Sequence, residues 1–342
     1  MGVNLKELVT KQPVTFEDLK GKVLAVDAFN ILYQFLTTIR TPDGRPLTDS
    51  KGRVTSHLIG LFSRTTSFLK QGLKPVFVFD GKVPELKHHE LEKREAVKVE
   101  AQKLYEKAVV EEDVEAMQKY GGRTARLTKD MVAEAKNLLT LLGIPVVQAP
   151  SEGEAQASFI VAQGDAWAVV SQDYDSLLYG ADRLIQNLSI AGRKKKTGVL
   201  GTVVVKPELI ELKQLLKDLS ISQDQLIALA MLVGTDYHPG GVKGIGPKKA
   251  LALVKEQKTL EKIFTTAKWS EHCTVSWQEI FGLFKKTPAT KEYSLKFKAP
   301  DKEGVKHFLV DEHDFGAERV EKTLADLQEQ HSKRSQKGLG DF

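Results

Sequence analysis

Cysteine is nearly absent: Cys273 is the only one in 342 residues. That excludes a disulfide framework and a thiolate zinc site, since both need several thiols at defined spacing. No apolar run is long enough to span a bilayer, and the start, MGVNLKELVT, has no apolar signal core. Met1-Gly2 opens a myristoylation pattern, but Lys6 stands where Ser or Thr is required. These absences predict a protein that works inside the cell and away from membranes. A large excess of one charge is also missing, because 50 Lys and Arg face 45 Asp and Glu for a net +5. A mildly basic surface rich in acids suits a basic binding face around an acidic centre. The length allows a large core, as one α/β domain or a domain with an insertion.

What the chain does have is acids at the ends of apolar runs. Val23–Val26 reads as a buried strand ending at Asp27, and Lys74–Phe79 as another ending at Asp80. Trp167–Val170 is a third, running into Ser171-Gln172-Asp173-Tyr174-Asp175. Pro145–Val147 is a fourth, followed by Glu152 and Glu154 at the start of a helical pattern. Along an extended segment residues two apart point the same way, so Asp173 and Asp175 can share one focus. Each pair also has a plainer reading. Ser151-x-x-Glu154 is a capping-box pattern, and Asp173 and Asp175 can serve as turn residues. The recurrence at Asp27, Asp80 and Asp173 weighs against coincidence, because ligands of open α/β sheets bind beyond the carboxyl ends of strands. Apolar strands alternating with helices predict a mostly parallel sheet flanked by helices.

Ser56–Lys70 has the period of an amphipathic helix, and residues 40–53 read as a loop. From Lys82 to Asp113 dense mixed charge carries only a thin apolar stripe, including Leu91, Val97, Leu104 and Val110. Two readings stand for it: a solvated helix held by i,i+4 ion pairs, or a helical arch aiming cations at phosphate. Gly121-Gly122 breaks the pattern, and Thr128–Leu142 is again amphipathic. Arg193–Lys196 is a basic run in a loop. Residues 223–233 read as a buried helix leading to Asp236. Beyond it, Gly244-Ile245-Gly246 with Pro247 and Lys248-Lys249 has the signature of a helix-hairpin-helix. Its glycines let backbone N–H groups approach a phosphate, the next helix N-terminus favours the anion, and the lysines add charge. After Lys298 periodicity lapses, then a helix over 316–330 precedes a polar, Gly-rich tail expected to be disordered.

With these motifs in order, the chain resembles the flap endonucleases, structure-selective members of the XPG-like 5′ nuclease family, and the archaeal ones in particular. The resemblance covers essentially the whole length. It rests on the MGV start, VDAFNILYQFL, RVTSHLIGLFSRT, VFVFDGKVPELK, APSEGEAQAS, SQDYDSLL, VGTDY and GVKGIGPKKAL. It implies a PIN-like 5′-nuclease fold with a mostly parallel central sheet, a helical arch and a helix-hairpin-helix. The divisions would be 1–81 and 131–325 for the nuclease core, 82–130 for the arch, 234–256 for the helix-hairpin-helix and 326–342 for a flexible tail.

The resemblance also implies roles. Asp27, Asp80, Glu152 and Glu154 would hold one ion, and Asp173, Asp175 and Asp236 a second. Lys87 and Arg94 would stand beside the scissile phosphate, with Tyr33 stacking on a base and Arg40 nearby. Arg53–His57, Thr55 included, would wedge the bent duplex and pocket a one-nucleotide 3′ flap. Gly2, Gly244, Gly246, Lys248 and Lys249 would contact DNA, with K⁺ expected at the hairpin. Gln336, Leu339 and Phe342 resemble a sliding-clamp-binding box that lacks its second aromatic. The implied activity is 5′ flap endonuclease and 5′-3′ exonuclease, acting as a monomer in Okazaki fragment maturation and repair. Two Mg²⁺ about 4 Å apart suit such a site, with Mn²⁺ as a substitute, because hard cations prefer oxygen donors. No groove-reading element is evident, so selectivity is expected from backbone contacts and a bent junction. Two other readings share some of these features: a PIN-like metal-dependent ribonuclease and a non-catalytic junction-binding scaffold.

Overall fold

The structure is a computed structural model that describes residues 2–195 and 202–337. In its first part β1 (Gln12–Pro13), β2 (Val23–Asp27), α1 (Ala28–Thr38), α2 (Ser56–Lys70) and β3 (Lys74–Phe79) follow one another. Next come α3 (His88–Val110), α4 (Val114–Gly121) and α5 (Lys129–Leu141). The middle contains β4 (Val146–Gln148), α6 (Gly153–Ala162), β5 (Ala168–Val170), α7 (Asp175–Leu178) and β6 (Arg183–Gln186). Then β7 (Gly192–Lys195), β8 (Thr202–Val205), β9 (Glu208–Glu211), α8 (Leu212–Leu219), α9 (Gln223–Val233) and α10 (Pro247–Glu256) lead outward. The last helices are α11 (Leu260–Thr266), α12 (Trp269–His272), α13 (Trp277–Lys286), α14 (Lys302–Lys306) and α15 (Ala317–Lys337).

Seven strands form one sheet in the order β1-β9-β6-β5-β2-β3-β4. The pairs β2–β3, β3–β4, β2–β5 and β5–β6 are parallel, while β9 pairs antiparallel with β6 and with β1. Both faces are buried, which is why the central strands read as continuous apolar runs. Ala25, Val76, Val78, Val147 and Val169 face a core shared with α6 and α9. Leu24, Val26, Phe77 and Phe79 face the opposite core, formed with α1, α2, α5 and α15. From β2 the chain moves through β3 to β4 on one side, and β5 then begins the other side. The strand order therefore reverses between β2 and β5, and the crevice beyond their carboxyl ends is where such a sheet takes a ligand.

Several expectations change. Asp173 and Asp175 are not on extended backbone: residues 172–174 bend, and Asp175 opens α7. Arg193–Lys195 lie in β7, paired antiparallel with β8, rather than in a loop, and Lys196 falls outside the described residues. The stretch after Lys298 holds α14 and a π-helical turn at His307–Asp311. Helix α15 runs on to Lys337, through the start of the tail expected to be disordered. Leu339 and Phe342 lie outside the described residues, and only the backbone of Gln336 is described. Among the described residues no helix is long and apolar enough to cross a membrane.

Candidate active site

The acids meet at the switch point. Asp27 is the last residue of β2 and caps α1, accepting the Asn30 N–H at 3.0 Å. Asp80 follows β3 and accepts the Gly153 N–H at 2.6 Å, so the strand end and the start of α6 are tied together. A Cβ at position 153 would lie 2.6 Å from Asp80 Oδ1, so a side chain there would displace that carboxyl. Glu152 takes the N-cap position of α6 without capping it, and Ser151 Oγ donates to the Lys82 carbonyl at 3.1 Å. The capping-box reading therefore fails, and Glu152 and Glu154 are left for other work. On the β5 side the chain's own start closes the site. The Gly2 N–H donates to Asp173 Oδ1 at 3.1 Å and the Val3 N–H to Asp175 Oδ1 at 2.9 Å. A Cβ at Gly2 would lie 2.6 Å from the Asp175 carboxyl, so a side chain there would push that carboxyl aside.

The base of the charged segment leans over these acids. Lys87 Nζ lies 2.8 Å from Glu152 and 3.0 Å from Asp236. Arg94 lies 2.5 Å from Asp236 and 2.9 Å from Glu90, one helical turn away. Farther along α3 the apolar stripe is left in solvent, with Val97 65% and Val110 84% exposed. These positions do not build a core, and α3 and α4 make up the segment expected to form an arch. Between the arch and the acids lies a cleft of about 870 Å³, lined also by Phe29, Tyr33, Lys98 and Arg123.

Asp27, Glu152 and Asp175 are each only 7% exposed, and the electrostatics follow from burying like charges together. Burial, with Asp80 beside it, pushes the Asp27 carboxyl up to about 7. Burial and Glu152 push Asp80 up to about 6. Burial and Asp236 raise Asp175 to about 7. Glu154 stands well above the usual range, through burial first and then Asp175 and Asp27. Asp236 goes the other way: burial would raise it, but Lys87 and Arg94 hold it below the usual range. Burial likewise opposes the charge on Lys87, yet Glu152 and Asp236 raise its pKa. No three His, Cys, Asp or Glu side chains among the described residues are already gathered about one ion position. Even so, the donors are all oxygen, and raised carboxyl pKa values mark negative charge short of positive partners. Both suit hard divalent cations.

Other sequence-predicted residues lie farther out. Tyr33 lines the cleft beneath Lys98, whose Nζ is 5.0 Å from the ring centroid. Arg40 donates to the Leu36 carbonyl at 2.9 Å and the Gly44 carbonyl at 2.8 Å and does not line the cleft. Arg53 pairs with Asp49 at 2.7 Å and donates to the Glu312 carbonyl. Buried Thr55 precedes α2 and lines a second cavity, of about 270 Å³, with His313, Phe315 and Arg319. Gly244 has φ +83°, and Gly246 caps α10 ahead of Pro247. Lys249 Nζ donates to the Gly244 carbonyl at 3.1 Å, and Lys248 lies 3.8 Å from Glu7. Asn30 and Ser171 stand inside the acid cluster and carried no sequence signal beyond their place beside Asp27 and Asp173.

A cluster of oxygen donors at the switch point of a mostly parallel sheet, overlooked by arch cations, defines a metal-dependent nuclease of the XPG type. The XPG N-terminal domain matches residues 1–101 and the XPG I-region residues 143–236. Flap endonuclease 1 of Staphylothermus marinus is 50% identical over 346 residues, covering 99% of each chain. The structure of flap endonuclease-1 from Methanococcus jannaschii superposes with a TM-score of 0.77 at 44% identity, covering 97% of this chain and 100% of that one. The catalytic core of Rad2 in complex with DNA substrate, 23% identical, shares the fold with a TM-score of 0.66, covering 93% of this chain and 96% of that one. The chain belongs to the flap endonuclease 1 family. It is a structure-specific flap endonuclease, a metal-dependent phosphodiesterase of DNA replication and repair. The ribonuclease and scaffold readings give way to that membership.

Proposed function

We propose that this chain hydrolyses a DNA phosphodiester where a 5′ flap leaves the duplex, using two Mg²⁺ held by Asp27, Asp80, Glu152, Glu154, Asp173, Asp175 and Asp236. The observation that carries the reading is Lys87, an arch-base cation set directly on Glu152 and Asp236. When bound, the ions supply an activated water near neutral pH and neutralise charge on the phosphate. Lys87 and Arg94 sit where they can pass from carboxylate to phosphate and stabilise charge there, Arg94 bidentately. Tyr33 offers a ring face to a base at the cleft wall. The arch, residues 82–130, confines the single strand.

The helix-hairpin-helix grips duplex backbone and takes K⁺. A Cβ at Gly246 would meet nothing within 4 Å, and its φ of −91° does not require glycine. Among the described residues nothing accounts for glycine there, whereas close approach of a phosphate does. The enzyme acts as a monomer on branched DNA carrying a one-nucleotide 3′ flap, and its end, through Gln336, Leu339 and Phe342, engages a sliding clamp. Mn²⁺ replaces Mg²⁺. A double-flap DNA incubated with Mg²⁺, and separately with EDTA, tests the central claim. The expected result is a Mg²⁺-dependent product ending one nucleotide inside the downstream duplex. Binding without any cleavage overturns it.

The carboxyl pKa values give a second test. Asp27, Asp80 and Asp175 keep protons in the folded, metal-free protein that the unfolded chain releases near its ordinary value of 3.8. Their contribution to stability is full below that value and is lost as pH rises through about 6 to 7. Mg²⁺ binds the deprotonated acids and restores what was lost, so its stabilisation grows with pH. Thermal melting with and without Mg²⁺ should show a larger rise in Tm at about pH 8 than at about pH 5.5. Equal shifts at the two pH values would place Mg²⁺ elsewhere.

A further inference from the structure

Two neutral side chains lie between the two groups of acids. Asn30, in the first turn of α1, donates from Nδ2 to Asp173 Oδ2 at 3.0 Å. Its Oδ1 accepts the Gln172 N–H at 3.3 Å, and its own N–H is held by Asp27 at 3.0 Å. Ser171, 3% exposed, accepts the Asp173 N–H at 3.2 Å. Its single hydroxyl hydrogen has two acceptors, Asp27 Oδ2 at 3.1 Å and Glu154 Oε1 at 3.3 Å. Behind them buried Gln186 donates to the Gln172 carbonyl at 2.7 Å.

We infer that Asn30 and Ser171 are positioning residues that lock Asp173 against Asp27 and Glu154, making one metal-binding unit from acids carried by different elements of the fold. The inference rests on the proposed metal-binding role of those acids.

The physical case has three parts. First, β5 stops at Val170, so the Gln172–Asp173 backbone is not held in register by its own strand. Asn30 supplies bonds to the Gln172 N–H and the Asp173 carboxylate, and Ser171 to the Asp173 N–H and to Asp27 or Glu154 beyond the bend. Second, only one orientation of the Asn30 amide satisfies both neighbours, with NH₂ toward the carboxylate and oxygen toward the N–H. An acid or an apolar side chain cannot do both. Third, neutral donors orient carboxylates without adding charge, so they do not compete with an incoming cation as a lysine would. The Ser171 hydrogen can serve only one acceptor at a time, so it can follow whichever acid an ion leaves less occupied. Hydrogen-bonding partners behind metal ligands typically govern affinity by about 10–100-fold.

The test is direct Mn²⁺ binding to the full chain without DNA, by calorimetry, for the parent, Asn30→Leu, Asn30→Ala and Ser171→Ala. Melting in EDTA runs in parallel. Asn30 is half-buried in the first turn of a helix, so Asn30→Ala is expected to fold even if a buried change at 171 does not. The expected result for Asn30→Ala is Mn²⁺ affinity lower by about 10–100-fold, with a metal-free Tm lowered only by the hydrogen bonds it loses and a melt that stays cooperative. The double variant Asn30→Ala/Ser171→Ala should lose less than the product of the two single losses, because both act on one bend. KM for flap DNA should hold while the Mg²⁺ concentration for half-maximal rate rises. Parent-like Mn²⁺ affinity in a folded Asn30→Ala overturns the inference alone. A parent that binds no Mn²⁺ overturns the metal reading and this inference with it.

Discussion

Asp80→Asn is expected to lower single-turnover flap cleavage on the order of 10³-fold or more, about 4 kcal/mol of transition-state stabilisation. The same change should raise the metal-free Tm near pH 8. The two effects have one cause. Asp80 is half-buried, and its desolvation together with the neighbouring Glu152 pushes its carboxyl up to about 6. At pH 8 it is therefore an ionised group in a place that disfavours ionisation. The amide oxygen of asparagine can still accept the Gly153 N–H that now bonds Asp80 Oδ1 at 2.6 Å, so the local fold is kept. What disappears is charge that folding tolerates and metal needs. Cleavage within tenfold of the parent would remove Asp80 from the site, and a lower Tm would contradict the electrostatic account.

Lys87→Met should move stability the other way while also lowering cleavage, by about 10²–10³-fold. Methionine keeps much of the stem and removes the charge. Glu152 and Asp236 then keep their burial without the cation that lies 2.8 and 3.0 Å from them. Breaking a buried pair by removing one partner typically costs about 3–5 kcal/mol, and Arg94 beside Asp236 will absorb part of that. Mg²⁺ should restore more stability to this variant than to the parent, since Lys87 no longer competes for the same oxygens. Melting curves with and without Mg²⁺, beside single-turnover rates, separate the two contributions. A Lys87→Met protein that melts and cleaves like the parent would show that the ion pair with Glu152 is incidental.

These paired effects bear on what could be read before the structure. Ser56–Lys70 and Lys74–Phe79 match their observed bounds because a helical period and an unbroken apolar run are strong local signals. The acids at strand ends were legible for the same reason: each follows a run whose burial was plain. The geometry joining them was not. Asp173 and Asp175 do converge, but through a bend and amides from residues 2 and 3 rather than a shared strand face. Strands β1, β6 and β9 escaped notice because polar or charged residues flank at most two apolar ones in each. Asn30 and Ser171 are ordinary residues whose meaning lies in distant partners. Arg40, singled out as a cation for DNA, turns its guanidinium onto the local Leu36 and Gly44 carbonyls, and Arg53 turns onto Asp49 and the distant Glu312 carbonyl.

The amide of Gly2 reaches Asp173 across 171 positions of chain, and Lys87 reaches Asp236 across the arch and half the sheet. During translation such a centre is assembled late. A ribosome must have passed Asp236 before the last acid exists, and the first residues must wait, unpartnered, for the 170s to emerge. Loop closure over that span is slow beside helix formation. An immature chain therefore carries the arch and the first strands well before it carries a cutting edge.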